Sequence, residues 1–528
     1  MKSRRAAVAL TLAGALAVAG ALAVAGCGSS GSSGGSGGTS SAAGRAGTLS
    51  VGMGEPATTM NPVLLAPAIY GYFNYDPLIY QTASGQFIPD LATSWGYVGS
   101  GNTTFRLTIR QGARFSDGSA VTAAAVKNSL DYFLATNGPA LSFAGPVASV
   151  TTQGDTVTLH YKTAFPNAVI SLTQDWNFGL IIGPKGLADP ASLATTSDGA
   201  GEYVLQPSQT TAGSLYVSTP DKYYFNQAAI KYTKVEVRPF TDPSAELAAL
   251  QTGQIQFAQN MPATDVATAK SAGITVSSGP ATWVSLMLEN RDRGPLANVK
   301  VRQALEYAID RAAIIKAVYD GFAQPQEQVA VKGLTGYVPG AADEYPYDPA
   351  RAKSLLAAAG YPKGFTVSAL DVAALDKNSV LAQAIASELA QVGVTLKITA
   401  LGGTFATLTK ALFSKQYDTL VMPSKAANMY FQATQILPTA GSLGNAFGTV
   451  DPQLNKLFAE AGQASGAAAQ NSVLQQLNQR LNADAWFVPI ALTLSMQFTA
   501  SSVHGVPATF ETVDHDPVSP VASQNWSG

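Results

Sequence analysis

Catalysis and metal binding need particular groups at particular spacings, and this chain carries few of them. Its three histidines, His160, His504 and His515, are scattered. No H-E-x-x-H, cysteine cluster or P-loop is present. Asp514-His515-Asp516 has metal-ligating types, but a polar tail solvates such groups without a metal. Two overlapping segments, 31–35 and 34–38, fit G-x-S-x-G. A nucleophile elbow needs a strained strand-to-helix turn, which a Gly/Ser-rich stretch cannot supply. Gly52, Gly54 and Ala57 fit G-x-G-x-x-A loosely. Pro56 and Pro62 favour extended chain there over the helix a dinucleotide site requires. No catalytic residue, metal or cofactor is assigned, and the chain reads as a non-enzyme.

The one residue with a clear chemical expectation is Cys27, the only cysteine. Lys2, Arg4 and Arg5 precede an apolar run from Ala6 to Ala25, and Val24-Ala25-Gly26-Cys27 follows. A basic start, an apolar run and small residues before a cleavage point make an export signal. The segment resembles a bacterial lipoprotein signal, with residues 1–26 removed and Cys27 lipidated as the first mature residue. An uncleaved anchor is the alternative, because about 20 apolar residues can span a bilayer. Residues 27–47, rich in Gly and Ser, read as a flexible tether. Without Cys27 the mature chain has no cysteine and must fold outside the cell without disulfides.

The remaining chain can fill large cores. It has 528 residues, 46% hydrophobic and 12% charged, with net charge −2. Two or three domains fit this length, and the charge balance carries no nucleic-acid footprint. Thr48–Met53 reads as the first strand. Tyr70, Tyr72, Phe73, Tyr75 and Tyr80 crowd one segment, as helix packing or as a ligand-facing edge. Phe105, Leu107 and Ile109 alternate with polar residues, the period of a half-buried strand. Ser116-Asp117-Gly118 is turn chemistry, and Thr122 is placed to cap a helix carrying Val126, Leu130 and Phe133. Further strands are expected at Thr156–Tyr161, Lys234–Phe240 and Tyr417–Met422. Val299–Tyr319 reads as one helix, with Arg302 and Glu306 spaced to pair on it. Asp348-Pro349 and Gly360 bracket another in full cap grammar. Pro489 is expected to break the chain before a strand from Ile490. Strands alternating with helices indicate an α/β protein.

Pro89–Trp95 with Thr104–Leu130, then Gly199–Leu205, Leu247–Ile255, Leu296–Asp310 and Tyr347–Phe365 form a series in chain order. Together these stretches resemble the extracellular solute-binding proteins of family 5, which serve ABC importers of peptides, nickel chelates and related solutes. Gln256 stands where the family usually has Asp. The resemblance implies a two-lobed, periplasmic-binding-protein-like (type II) α/β fold with an extra inserted domain. The first lobe would comprise residues 48–80, 195–280 and 489–528, the inserted domain 81–194, and the second lobe 281–488. The implied protein is a lipid-anchored, extracytoplasmic monomer. It would take a small-molecule or peptide-like ligand between its lobes and hand it to ABC transporter permease subunits. A solute sensor or adhesion module on the same fold, or a secreted hydrolase, are the alternatives.

Peptide binders of this family usually hold the ligand's amine with an Asp after the late second-lobe strand. Here Met422–Gly441 has no carboxylate, which points to a neutral or weakly charged ligand. The residues expected at the site are Tyr70 and Phe73 in the first lobe, Trp283 and Ser285 where the second lobe opens, and Ser424, Asn428, Met429 and Tyr430 in the late loop. Trp176 could face the cleft from the inserted domain, and Lys425 suits an acidic ligand or simple solvation.

Overall fold

A computed structural model describes residues 45–528 apart from 55, 65–68, 137, 139–140, 342–343, 372–379, 403–404, 438–442 and 511–518. The export-signal segment, Cys27, most of the tether and Asp514-His515-Asp516 lie outside these residues. The first strands in chain order are β1 (Ala46–Met53), β2 (Ile79–Gln81), β3 (Phe87–Pro89), β4 (Ala92–Tyr97), β5 (Thr104–Ile109), β6 (Val147–Gln153) and β7 (Thr156–Tyr161). Next come β8 (Tyr203–Leu205), β9 (Tyr216–Pro220), β10 (Tyr232–Pro239), β11 (Phe257–Ala258) and β12 (Thr275–Leu288). The last are β13 (Ala323–Pro325), β14 (Phe365–Asp371), β15 (Val394–Ala400), β16 (Thr419–Lys425) and β17 (Phe487–Thr499).

Local chemistry explains many of these elements. Phe105, Leu107 and Ile109 point inward from β5, while Arg106 is exposed. Thr122 caps the helix Ala123–Ala135 by accepting from Ala125 N, and Val126, Leu130 and Phe133 form its buried face. Asp348 accepts from Arg351 N at the start of Pro349–Ala358, and Gly360 takes the left-handed conformation just past its end.

Two expectations fail for identifiable reasons. The stretch 299–319 is two helices, Val299–Tyr307 and Arg311–Tyr319. Asp310 leaves helical geometry and caps the second by accepting from Ala313 N at 2.9 Å. Glu306 therefore pairs with Arg311 rather than Arg302. Arg302 instead donates to the carbonyls of Leu296 and Asp484, each at 2.9 Å. Likewise, Pro489 does not interrupt the late strand, which starts at Phe487. It pairs with Ser285 beside a register shift, where β17 carries one extra residue. A proline is tolerated next to such a bulge because the ladder is already broken there.

Among the described residues, eleven strands form one sheet with the path β15-β14-β16-β12-β17-β11-β1-β10-β9-β8, and β13 on β17. The antiparallel pair β12 and β17 runs through both halves. Thr275–Pro280 pair with Leu494–Thr499 on the side joined to β11, and Trp283–Met287 pair with Phe487–Leu492 on the side joined to β16. Between the halves β12 has its own extra residue. There the Thr282 and Thr493 hydroxyls lie 2.8 Å apart. Separate from this sheet, β4-β5-β7-β6 forms an antiparallel sheet, covered by Ala123–Ala135. Its core is continuous with part of the second half, since Phe105 and Leu130 belong to one apolar cluster with Trp283, Met287, Tyr430 and Leu457. The opposite face of β12, at Val284, Leu286 and Leu288, packs on a second cluster with Leu305 and Leu389.

Candidate ligand-binding site

Five segments from distant parts of the chain meet around one space. From the inserted segment come the β2–β3 turn and residues 166–176. From the second half come residues 333–335, the loop after β16 and the start of the helix Ala467–Ala483. Together they enclose a cavity of about 690 Å³, within the size range of small-molecule sites.

Each wall has a local cause. Thr82 N donates to Gln86 O at 2.8 Å, and Gly85 supplies the positive φ that closes the hairpin. The Tyr97 hydroxyl donates to Phe165 O and accepts from Ala168 N, pinning the segment that carries Asn167. Gly336 is required where it stands, because a Cβ there would lie 2.3 Å from Met429 Cβ. The loop after β16 ends at Asn428, which caps the helix Met429–Ile436 by accepting from Phe431 N at 2.9 Å.

The walls also bond to one another. The Asn167 and Asn428 side chains exchange amide hydrogen bonds of 3.2 and 3.4 Å. Asn102 donates to Gly462 O at 2.8 Å and to Ala464 O at 2.9 Å. Lys425 Nζ lies 4.3 Å above the Trp176 ring and 3.4 Å from Asp175 O. Apart from the Asp175 side chain, the other polar lining is neutral, with Gln81, Ser84, Thr335 and Gln470. In this geometry the inserted segment is docked on the second half of the sheet.

The expected site residues divide. Asn428 lines the large cavity, and Tyr430 lines a smaller one beside it. Met429 is fully buried behind the loop and donates its N–H to Thr335 O. Ser424 is half-buried and pairs with Trp283 in the sheet. Trp283 and Ser285 are 1% and 0% exposed on β12, and the Trp283 ring lies 6.0 Å from that of Phe487. Tyr70 and Phe73 pack in the first-half core, against Tyr216 at 4.8 Å and Tyr203 at 6.3 Å. None of these last four lines the larger cavities. Trp176 lines both. Asn102 and Asn167 were not anticipated. They stand in turn-forming sequence, and nothing local signals that their side chains reach across to the second half.

A second polar cluster lies elsewhere, under Tyr72, Tyr75 and Tyr80. Asp76, Asp90 and Glu202 are all buried around a space of about 10 Å³. Burial pushes all three carboxyls up, Glu202 to about 8, and their mutual repulsion raises Asp76 and Asp90 further.

The family described as bacterial extracellular solute-binding proteins, family 5 Middle, matches residues 86–446. The glutathione-binding protein GsiB of Salmonella paratyphi A is 31% identical over 324 residues, covering 58% of this chain. The chain spans about 60% of that relative's length. Among solved structures, the ABC transporter substrate-binding protein CtaP of Listeria monocytogenes superposes with a TM-score of 0.75 at 19% identity, over 92% of this chain and 99% of that one. DppA of Helicobacter pylori, in complex with the peptide STSA, gives 0.70 at 21%, over 88% and 96%. These structures share the two-lobed α/β fold. With a family match across well over half its length, the chain belongs to the bacterial extracellular solute-binding proteins of family 5.

Proposed function

We propose that this protein captures a small, neutral or weakly charged solute in the 690 Å³ cavity and delivers it to the permease of an ABC importer. It acts as a monomer outside the cell, tied to the membrane by lipid on Cys27. The observation that carries the reading is that cavity, walled by Asn167 and Asn428, which stand 261 residues apart in the chain. A space closed by two separate parts of the molecule suits a trap that binds, shuts and releases. Opening and closing then follow the solute's preference for the shut state. The first lobe would be residues 48–80, 195–280 and 489–528, the inserted domain 81–194, and the second lobe 281–488, with β12 and β17 as the connection.

The lining favours uncharged solutes. Among the described residues, its charged side chains are Lys425 and Asp175, and Lys425 Nζ lies 3.4 Å from the Asp175 carbonyl oxygen. No carboxylate stands in Met422–Gly441 to receive a free amine. GsiB is named for glutathione and the DppA structure holds a peptide. A peptide-like solute with a masked or absent amine fits both the kinship and this difference.

Native mass spectrometry of protein purified from its own host tests the capture. One small bound molecule per chain is expected, and a peptide with a free terminal amine contradicts the lining argument. Replacing Cys27 by Ala should release the protein from membranes. Unchanged tight association would refute lipid anchoring.

A further inference from the structure

Beside the large cavity lies a second one of about 340 Å³. The two share Asn167, Ile170 and Trp176, and so have a common wall. The chemistry changes across that wall. The annex is lined by the rings of Phe143, Phe165, Tyr430, Phe431 and Phe458, with Pro146. Phe143 and Phe431 pack on Trp176 with ring centroids 4.5 and 4.8 Å away. Tyr430 stacks on Phe458 at 4.8 Å.

Three of the hydroxyls bordering the annex are already committed to main chain, and a fourth, on Thr163, sits on an exposed residue. Tyr430 donates to Ala164 O at 3.2 Å, Thr434 to Phe431 O at 2.6 Å and Ser171 to Ala168 O at 2.9 Å. A hydroxyl-rich or charged guest would lose water there and find little in exchange. A ring or branched alkyl group loses nothing and gains ring faces on several sides.

The origin of the walls matters as much as their chemistry. Phe143, Phe165 and Trp176 come from the inserted segment, and Tyr430, Phe431 and Phe458 from the second half. The annex is complete only when the two are docked. A group seated in it touches both, so its contacts belong to the shut state and shift the population toward it.

We propose that the captured solute carries one aromatic or branched aliphatic group, that this group occupies the annex, and that its burial favours closure. The proposal rests on the reading that the larger cavity holds the solute's polar part.

The test pairs two probes, N-acetyl-L-phenylalaninamide and N-acetylglycinamide, which present the same neutral amides with and without a ring. Isothermal titration of the full mature protein should show the ring-bearing probe binding at least about tenfold tighter. Thr434→Trp, which fills the annex, should bring the two affinities within about twofold. Equal affinities in the wild type, or a ring preference that survives Thr434→Trp, overturn the proposal. If neither probe binds, the solute carried by host-purified protein decides by mass spectrometry. A molecule with a ring or branched alkyl group supports the annex, and one without such a group overturns it while leaving capture intact. A cleft that is empty after purification and binds neither probe overturns capture itself, and the annex with it.

Discussion

Two aromatic clusters in this molecule use the same residue types to opposite ends. Tyr70, Tyr72, Phe73 and Tyr75 are at most 3% exposed. They lie close together in sequence and are sealed by β8, β9 and their own neighbours. Phe143, Phe431 and Phe458 are only half-buried, and with Trp176 and Tyr430 they face an open space. The difference lies in what covers the far side. A cluster sealed by strands of the main sheet packed directly on it, here β8 and β9, becomes core. A cluster shared between the inserted segment and the second half retains space that a guest can fill. Aromatic richness alone therefore marks neither core nor site.

Truncating one ring from each cluster should separate them most sharply. Phe73→Ala should cost about 3–5 kcal/mol of stability in urea unfolding, as for other fully buried rings. Phe431→Ala should cost less than about half of that, yet weaken solute capture strongly. Equal losses of stability would erase the distinction.

The first cluster should also respond to pH. Its tyrosines border Asp76, Asp90 and Glu202. Glu202 is pushed to about 8 in the folded protein by burial, whereas unfolding returns it to its ordinary range. Protonated in the fold and ionised when unfolded, it contributes stability fully below its ordinary pKa. That contribution is lost as pH climbs to about 8. The melting temperature should fall between pH 5 and 9, a change on the order of 3 kcal/mol. Burial raises Glu246, Glu289 and Glu306 into the same range, so Glu202→Gln should make the fall shallower without abolishing it, and an unaltered slope would show that Glu202 is not among its sources.

The docked face should be sensitive to Asn102. Asn102→Gly keeps the positive φ of 51° without strain and removes both hydrogen bonds to Gly462 and Ala464. About 1–3 kcal/mol of docking should be lost, visible as a larger radius in small-angle scattering of the solute-free protein. The smallest effect is expected between Lys425 and Trp176. A double-mutant cycle with Lys425→Met and Trp176→Leu should give a coupling of about 0.5–2 kcal/mol.

Much of the scaffold was legible because its signals are local. The Thr122 cap, the alternation of β5 and the Asp348-Pro349 helix start each depend on a few adjacent residues, and the structure bears them out. Asp310 shows where local reading slips, since a continuous apolar stripe hid the cap that splits the helix. Pro489 shows another limit, because the bulge that accommodates it is a property of two strands and not of one. At the site, Asn428 was reachable through its place after a late strand. Asn102 and Asn167 were not, because their partners lie 360 and 261 residues away. No pattern within one segment records such a meeting.

The paired strands β12 and β17 carry one further consequence. A slip of one residue between them would turn Trp283 and Met287 out of one core and drive Val284 and Leu286 into it. That alternation locks the ladder against sliding. Relative motion of the two halves is left with twist and bend, deformations that preserve every pairing.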